Sequence, residues 1–580
     1  MKNIKSFLVL IICFVMAFSF ACTTNNNDSQ NNNSQSSSTP AHESSNPVGG
    51  EEGGDEEKPA TYCNVLPISY DEVNKQPDMD AFYAETKRPD GSSWDAMLDY
   101  GFVDSVWHTL KVEGVSDPVY SARCGYGIHS FAWVDVDTDG AFELDVELTL
   151  TTPDTKESVV VLPEKLGVEA SIQNNVATAK LCEYGSFSFA FNELPDNVIT
   201  LYVAPKAELP QTNGMEKVEI EPGRYDVNET RFKQTNTIYY FKSGVFDLNS
   251  IFVPSDSIIY FEPGTYVRVY EDGPTDYAAA IEANSTKNSK IMGRALFDFS
   301  QCTGGDAKHK GVYTFEQADG LTVEGIITVN SNGWTMCSWY CKNVEISRCM
   351  FFSYRTYSDG IMFSDCQNSL AHDNFVRTGD DAIEVKAFSA STAEDCYTDN
   401  VLFEDNCVWT DKGIAYGAIY EARHEIKNVT FRNNSVGFAQ ASWSKHIGIC
   451  TVQMGSIKGT KWHDIHFENI EVYNMSCALL SVFNRANNAT EGGKIDDIYF
   501  NNITVKHTRK LILDPCCLSI VIILKNGAEW TNSTIGKMYI DNIDYCGTKL
   551  TAENYADYSR IEIQEEAKFG LTNIKINTLS

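Results

Sequence analysis

The chain has 580 residues, of which 79 are Asp or Glu and 46 are Lys or Arg, so its net charge at pH 7 is −33. This charge argues against nucleic acid and against polyanionic ligands, because both would be repelled. Seventeen cysteines suggest a disulfide framework, but their spacing is irregular and contains no paired Cys-x-x-Cys. We therefore expect neither zinc nor a full set of disulfides, and interpret cysteines such as Cys349 as small buried core residues.

Residues 1–22 have the pattern of an export signal. Two lysines precede an apolar run from Phe7 to Phe20, and Ala21-Cys22 follows. The run is too short to span a membrane comfortably. Because Cys22 follows a small residue, the segment resembles a bacterial lipoprotein signal. It predicts an exported chain held in a bacterial cell envelope by a lipid on Cys22, and a plain secreted protein is the alternative.

The next segments in chain order are a linker and a β-rich region. Residues 23–60 hold almost no large apolar side chains and predict a flexible linker. Between about residues 100 and 205, short stretches of alternating apolar and polar residues are separated by turn residues, which is typical of an antiparallel β-sandwich. We assign the sandwich to residues 61–210. The clearest stretches are Phe131–Val136, Phe142–Leu150, Ser158–Leu162, Phe187–Phe191 and Val198–Val203.

A repeat follows from about residue 235. Eight-residue segments, with mostly apolar residues at positions one, three, six and eight, recur at intervals of 23 to 40 residues. The first three positions alternate like a strand, and the change of phase after position three predicts a corner. Short constant segments joined by variable loops are typical of a right-handed parallel β-helix with coils about 4.8 Å apart, which we assign to residues 211–580. The segments begin at Leu321, Val344, Ser369, Val401, Val429, Ile465, Ile498 and Met538.

Position six of this repeat is Asn in three consecutive coils, at Asn374, Asn406 and Asn434. Equivalent positions in stacked coils lie one above the other, so these residues predict an internal ladder of stacked amides. Helical periodicity is weak throughout, and the whole folded chain is therefore predicted to be all-β.

Three aspartates are the strongest candidates for chemistry. Asp359 stands in Ser-Asp-Gly, and Asp380 and Asp381 stand in Gly-Asp-Asp, 21 and 22 residues later, which is about one coil. Taken singly, each is more easily explained as a turn residue, because Asp tolerates turn geometry. Together they would crowd three carboxyls, which costs energy unless one keeps its proton at neutral pH. An acid and a base held in this way are what the cleavage of a glycosidic bond requires.

These motifs resemble known sequences. Residues 358–360 and 379–386 resemble the signature of polygalacturonase-type hydrolases, glycoside hydrolase family 28, in which Asn-Thr-Asp precedes Gly-Asp-Asp by the same spacing. Residues 417–430 are similar to the segment that follows the Asp-Asp in dextranases of family 49, a group that also has a β-sandwich in front of its β-helix.

The resemblance implies a glycoside hydrolase that inverts the anomeric configuration in one displacement and needs no metal or other cofactor. By this resemblance Asp380 is the general acid that protonates the leaving oxygen. Asp359 and Asp381 are the groups that hold and deprotonate the attacking water. The substrate is a polysaccharide or oligosaccharide.

The chain departs from polygalacturonases where their uronate-binding cations stand. The Gly-His-Gly and Arg-Ile-Lys motifs are missing, and Lys386 alone is a weak basis for galacturonate binding. Together with the acidic composition, this favours a neutral glycan such as an α-glucan. Three alternatives stay open: a pectin hydrolase, a Ca²⁺-dependent polysaccharide lyase with a Lys or Arg base, and a non-catalytic glycan-binding solenoid.

Further residues around the aspartates are candidates for substrate binding. Aromatic rings can stack on the apolar faces of sugars, although about half of those near the site would be core residues, and an Arg-His pair can equally be a solvated turn. The candidate substrate-binding residues are Lys386, Tyr357, Tyr420, Glu421, Arg423, His424, Trp443 and His446. Trp334, Trp339 and Tyr416 are further aromatic candidates.

Overall fold

The structure, a computed structural model, describes residues 61–64 and, with gaps, residues 102–577. The gaps are 105–107, 125–126, 139, 152–154, 193–196, 212–213, 271–278, 301, 303–311, 356, 388–395, 441–446, 457–458, 487–491, 509–519, 526–532 and 564–570. The export signal with Cys22 and the linker 23–60 lie outside the described residues and stay predictions. Among the helices described, none has the length and apolar character needed to cross a membrane.

The first part of the described chain is a pair of packed β-sheets. One sheet has the order β2-β5-β6-β12-β11-β8, with β1 beside β6, and the other has the order β4-β3-β7-β10-β9. The strands are β1 Thr61–Asn64, β2 Phe102–Asp104, β3 His108–Val112, β4 Val115–Asp117, β5 Tyr120–Cys124, β6 Gly127–Asp137, β7 Leu144–Leu150, β8 Val159–Leu162, β9 Ala170–Gln173, β10 Val176–Leu181, β11 Gly185–Phe191 and β12 Asn197–Pro205. A 3₁₀ turn spans Glu164–Leu166.

The alternation seen in the sequence places the core of this sandwich. In β7 the burial alternates between buried and exposed or half-buried residues, so Leu144 and Leu148 face the opposite sheet. The five predicted stretches all lie in or overlap β6, β7, β8, β11 and β12. The predicted sandwich is confirmed, with one difference: β6 and β12 pair in parallel, and the chain between them passes through both sheets.

The second part of the described chain is a parallel β-helix. Its strands form a 21-stranded sheet that turns a corner within most coils, and an 11-stranded sheet that runs β17-β19-β21-β24-β27-β30-β33-β36-β38-β40-β43. The strands are β13 Glu216–Ile220, β14 Gly223–Tyr225, β15 Thr237–Phe241, β16 Gly244–Leu248, β17 Ile251–Phe252, β18 Ile258–Val269, β19 Ile281–Asn284, β20 Lys290–Asp298, β21 Tyr313–Glu316, β22 Thr322–Glu324, β23 Ile326–Val329, β24 Met336–Trp339, β25 Glu345–Ser347, β26 Met350–Phe352, β27 Ile361–Ser364, β28 Gln367–His372, β29 Phe375–Thr378, β30 Ile383–Ala387, β31 Thr398–Glu404, β32 Cys407–Thr410, β33 Tyr416–Ala422, β34 Ile426–Arg432, β35 Ser435–Ala439, β36 Gly448–Ser456, β37 Lys461–Met475, β38 Ala478–Ala486, β39 Lys494–Thr508, β40 Ile520–Lys525, β41 Thr534–Tyr545, β42 Thr548–Lys549, β43 Ser559–Ile563 and β44 Leu571–Asn577. A second 3₁₀ turn spans Tyr555–Tyr558.

The register between coils matches the repeat derived from the sequence. Position three of each segment pairs with position three of the next, as in Ile346 with Ala371 and Phe403 with Phe431. Where this position is Phe, the rings stack inside the helix, and those of Phe403 and Phe431 lie 4.8 Å apart and nearly parallel. Each ring packs against the ring of the next coil, and the contact buries apolar surface of both. A shift of one coil relative to the next would break this contact, so the stacking stabilises the observed strand register. Cys349 is fully buried at position six, as predicted.

The predicted amide ladder is also confirmed. Asn374 Nδ2 donates to Asn406 Oδ1 over 2.9 Å, and Asn406 Nδ2 donates to Asn434 Oδ1 over 3.1 Å. Each amide oxygen additionally accepts the backbone N–H of the preceding coil, as Asn406 Oδ1 does from Asn374 N at 3.1 Å. All three side chains are buried. The ladder therefore satisfies polar groups at a corner where the strand hydrogen bonds are interrupted.

We expect Asn406→Ala to lower the free energy of unfolding by about 3 kcal/mol. The substitution leaves the buried backbone N–H of Asn374 without its acceptor, and such an orphan costs about 1–3 kcal/mol. It also removes one of the two hydrogen bonds of Asn374 Nδ2 and one of the two of Asn434 Oδ1. Urea denaturation of the variant measures the loss. Asn501→Ala, at an exposed position of β39, is the matched control and should cost less than about 0.5 kcal/mol. Equal losses for the two variants would contradict a structural role for the ladder.

Buried charges join the sandwich to the β-helix. Arg294 on β20 donates to Asp135 Oδ1 over 3.0 Å and to the carbonyl of Pro205 over 2.8 Å. Arg377 on β29 contacts His129 Nδ1 over 2.9 Å. These groups are buried, and each has a partner with which it forms charge-assisted hydrogen bonds. The contact at Arg377 lies two residues before the Gly-Asp-Asp motif.

Candidate active site

The three predicted aspartates come together because two neighbouring strands of the 11-stranded sheet begin beside them. Asp359 precedes β27, and Asp380 and Asp381 precede β30. Ile361 pairs with Ile383, so the 22-residue spacing places Asp359 next to Asp381 across the two strands. The backbone N–H of Gly360 donates to Asp381 O over 2.8 Å and fixes this alignment. The spacing seen in the sequence thus corresponds to one coil.

The backbone beside the aspartates is packed too tightly for side chains. A Cβ at Gly379 would lie 2.6 Å from the carbonyl oxygen of Arg355, and one at Gly413 would lie 2.4 Å from the carbonyl carbon of Asp380. Ser358 Oγ accepts the N–H of Gly379 over 3.2 Å and donates to Arg355 O over 2.6 Å. The loop that carries Asp380 and Asp381 is therefore held between the coils on both sides.

Asp380 is held by backbone donors, and its surroundings favour the protonated form. Its Oδ2 accepts the N–H of Tyr357 over 3.0 Å, and its Oδ1 accepts the N–H of Asp381 over 3.1 Å. Burial raises the pKa of Asp380 well above its usual range, and the charges of Asp359 and Asp381 raise it further. A carboxyl that is protonated at neutral pH can donate a proton in a reaction.

Asp381 has better support for its ionised form. Its Oδ1 accepts the backbone N–H of Ile414, on the next coil, over 2.9 Å. Burial raises the pKa of Asp381, but Lys386 and this N–H oppose the shift. Asp359 is buried as well, and its pKa is raised well above the usual range, first by burial and then by the charge of Glu384. The environments of the carboxyls therefore differ in how readily each gives up its proton.

Lys386 lies inside the cluster and is surrounded by carboxylates. Its Nζ is 3.3 Å from Glu384 Oε1, 3.6 Å from Asp359 Oδ2 and 3.9 Å from Glu421 Oε2. It also lies 4.7 Å from the centre of the Trp334 ring. Burial opposes its charge, but Glu384, Glu421 and the aspartates outweigh this and raise the pKa of Lys386 well above its usual range. Lys386 is therefore a buried counterion of the site.

A bulge in β33 brings Glu421 to this lysine. Val385 pairs with Ala418 and Ala387 pairs with Ala422, so one residue of β30 faces three residues of β33. Tyr420, in the middle of the extra residues, has a left-handed backbone with φ +67. Because the strand bends outward here, the side chain of Glu421 points back to Lys386. Glu421 thus reaches the site, and the predicted role of Tyr420 and Glu421 in substrate binding stays a prediction.

The other candidate residues divide into those near the cluster and those away from it. Tyr357 packs with Trp339 against Trp334, Cys337 and Met362, and forms an aromatic patch beside Lys386. Tyr416 is a core residue, because it is fully buried and donates to two backbone carbonyls inside the helix. Trp443 and His446 lie outside the described residues.

Arg423 and His424 follow the end of β33. His424 Nδ1 contacts the buried Asp365 Oδ1 over 2.7 Å, and the backbone N–H groups of both residues donate to Ala387 O. Among the described contacts, neither side chain touches the three aspartates. The Asp365 contact indicates that His424 supports the strand end, and Arg423 is exposed beside it.

Glu384 is a residue of the site that the sequence analysis did not identify. One of its carboxyl oxygens lies within 4.8 Å of one oxygen of Asp359 and one oxygen of Asp381. The sequence did contain a signal for Glu384, because apolar and charged residues alternate along Ile383-Glu384-Val385-Lys386. When Ile383 and Val385 face the core, Glu384 and Lys386 lie on the opposite face of the strand. That face is the one that carries the aspartates.

Comparison with known proteins agrees with this geometry. The model of glycosyl hydrolases family 28 matches residues 240–541, which is more than half of the chain. The chain belongs to glycosyl hydrolases family 28. It is therefore an O-glycosyl hydrolase, and the lyase and non-catalytic alternatives are set aside. None of the curated protein sequences matches this family 28 chain.

Among solved structures of low sequence identity, the first described below shares the fold, and two others are less similar. Dex49A from Penicillium minioluteum has a TM-score of 0.55 and 14% identity, and the match covers 81% of this chain and 94% of that one. An exopolygalacturonase from Thermotoga maritima has a TM-score of 0.44 and 15% identity, with 64% and 93% covered. A polygalacturonase from Erwinia carotovora ssp. carotovora has a TM-score of 0.42 and 12% identity, with 64% and 98% covered.

Proposed function

We propose that this family 28 hydrolase cleaves a neutral polysaccharide or oligosaccharide, with an α-glucan as the favoured substrate. The observation that carries the proposal is the position of Lys386. Its ammonium group lies within 4 Å of the carboxylates of Asp359, Glu384 and Glu421 and is almost fully buried. A cation neutralised in this way is not free to bind the carboxylate of a uronic acid.

The charge of the whole cluster supports the same substrate class. Around the one ammonium stand five carboxyls, those of Asp359, Asp380, Asp381, Glu384 and Glu421. Two like charges 4 Å apart repel each other by about 4 kcal/mol at an effective dielectric constant of 20. A galacturonate unit at this position would therefore be penalised, whereas the hydroxyls of a neutral sugar can donate hydrogen bonds to ionised carboxylates.

The proposed mechanism is a single displacement with inversion and without a metal. Asp380 protonates the leaving oxygen, in keeping with its raised pKa. Asp359 and Asp381 hold the attacking water, whose oxygen bonds to the anomeric carbon as the glycosidic bond breaks, and they take up its proton. The preference for an α-glucan rests on the similarity of residues 417–430 to dextranases. Export and lipid attachment at Cys22 rest on residues 1–22 alone.

We expect the purified protein to hydrolyse dextran and to leave polygalacturonate unchanged under the same conditions. Reducing-end release measures both activities. In proton NMR spectra recorded during the first minutes, inversion of an α-linkage gives the β-anomer before mutarotation. A preference for polygalacturonate would establish the pectin-hydrolase alternative instead. An α-anomer as the first product would contradict the single displacement.

A further inference from the structure

Glu384 has an environment that the proposed roles do not explain. On β30, Ile383 and Val385 belong to the core of the helix, and Glu384 and Lys386 lie on the opposite face. The Glu384 side chain is 0% exposed. Among the described residues, neither Oε1 nor Oε2 accepts a hydrogen bond from an N–H or O–H group. A buried carboxylate without donors is costly, whereas a neutral carboxylic acid there costs far less.

Lys386 does not remove this difficulty. Its Nζ is 3.3 Å from Glu384 Oε1, but the contact lacks hydrogen-bond geometry. The same ammonium also faces Asp359 and Glu421. One positive charge therefore serves three carboxyls, and burial favours the retention of a proton among them.

The partner for that proton is Asp359. Two carboxyl groups can form a hydrogen bond only when one of them is protonated. The carboxyls of Asp359 and Glu384 approach each other within 4.8 Å, and a hydrogen bond between them raises the pKa of Asp359 and lowers that of Glu384. The groups that face the pair are Lys386 on β30, Asp380 and Asp381 before it, Glu421 on β33 and the buried Cys337 thiol on β24. Burial raises the pKa of Glu384 to about 8, although Lys386 opposes the shift.

We infer that Asp359 and Glu384 form a carboxyl pair that shares one proton, and that Asp381 is consequently the base. The inference rests on the proposed inverting mechanism. In that mechanism Asp359 and Asp381 together activate the water, and the inference assigns the deprotonation to Asp381 alone. The pair carries one proton and one negative charge, which Lys386 balances. The attacking water gives its proton to Asp381, whose Oδ1 accepts the Ile414 N–H, while Asp380 protonates the leaving oxygen and the pair keeps its own proton. Glu384 is thus a positioning residue that acts through Asp359.

The test compares the pH dependence of kcat for the parent and for Glu384→Gln. In the parent, burial raises the pKa of both carboxyls, so the pair loses its shared proton only at alkaline pH, and activity falls there. In Glu384→Gln no such proton exists, because the amide donates to an ionised Asp359. The alkaline limb of the variant is then set by Asp380, whose pKa burial raises well above its usual range. We expect the alkaline limb to move to higher pH by about one unit or more. Glu183→Gln, an exposed position in the sandwich, is the control. Superimposed profiles for the parent and Glu384→Gln would overturn the inference.

An infrared titration tests the pair without substrate. At alkaline pH the parent should lose the C=O band of the protonated carboxyl of the pair, because burial raises the pKa of both its members, and Glu384→Gln should lack this change. Lys386→Met should keep the band to higher pH, because the counterion is removed. A band change that persists in Glu384→Gln would refute the shared proton. The infrared titration also distinguishes this inference from the proposed function. If only the proposed function is wrong, the protein does not hydrolyse dextran but still gives the expected infrared result.

Discussion

We expect Asp380→Asn to lower kcat on dextran by about 10³-fold, with KM within about threefold of the parent value. The amide has no proton to give to the leaving oxygen, which must then depart as an alkoxide. One of the two backbone hydrogen bonds, from Tyr357 N or Asp381 N, can still be accepted by the amide oxygen. The loop therefore keeps its position, and the loss reports on proton transfer. Initial rates with dextran measure it.

The leaving group separates the role of Asp380 from that of Asp381. An activated aryl glycoside needs no protonation of its leaving oxygen, so Asp380→Asn should lose much less activity on it than on dextran. Asp381→Asn should lose activity on both substrates equally, because each needs an activated water. An Asp380→Asn variant that is as impaired on the aryl glycoside as on dextran would show that Asp380 is not the acid.

We expect Asp411→Asn to lower the free energy of unfolding by about 3–5 kcal/mol and to lower kcat as well. Arg377 and Asp411 form a two-point ion pair, with Nη2–Oδ1 and Nε–Oδ2 distances of 3.0 and 3.2 Å, and both side chains are 1% exposed. The amide in Asp411→Asn is neutral and has only one acceptor oxygen. The buried Arg377 guanidinium therefore loses its counter-charge and one of its two hydrogen bonds. Arg377 lies in the strand that leads to Asp380, so its displacement moves the acid.

The sandwich takes part in the same network. Arg377 can only donate, so His129 accepts at Nδ1 and its Nε2–H donates to Thr200 over 2.7 Å. Burial and the charge of Arg377 accordingly lower the pKa of His129 well below its usual range. The fixed tautomer of one sandwich histidine thus helps to position the strand before the candidate acid.

Asp405→Asn is the matched control for Asp411→Asn. Asp405 stands just before β32, and Asp411 stands just after it. Asp405 also forms an ion pair, with Lys165 at 3.3 Å, but both of its partners are exposed to solvent. Exposed pairs contribute about 0–1 kcal/mol, so this variant should unfold nearly like the parent. Urea denaturation and kcat are measured for both variants. If Asp411→Asn costs no more than Asp405→Asn, the buried pair does not support the catalytic loop.

Local patterns predicted the coils because they depend on neighbours in sequence. The segments that begin at Val401 and Val429 align in the structure residue for residue, since a strand buried on one side repeats its apolar side chains at every second position. The amide ladder followed from three Asn residues at one repeat position. The same arithmetic placed Asp359 beside Asp381, because the segment between them, with β27, β28 and β29, makes one coil.

Side-chain environments could not be obtained in this way. The sequence offered Lys386 as a weak substrate-binding cation, but the structure encloses it with Glu384 and Glu421, and Glu421 reaches it only through the bulge at Tyr420. Neither the bulge nor the absence of donors around Glu384 has a local signature. The bulge and the surroundings of Glu384 both depend on the conformations of loops of unequal length that lie on the same sheet.

The sequence by itself determined the β-sandwich, the stacked coils and the meeting of three aspartates, because strand alternation and repeat length are properties of the chain read locally. Only the tertiary structure decided the charge state of the site and its support. The partner of Arg377 in the sandwich, His129, is 248 residues away along the chain. The protonation of a buried carboxyl depends on every charge and donor within a few ångströms, and those groups come from different coils and from a different sheet.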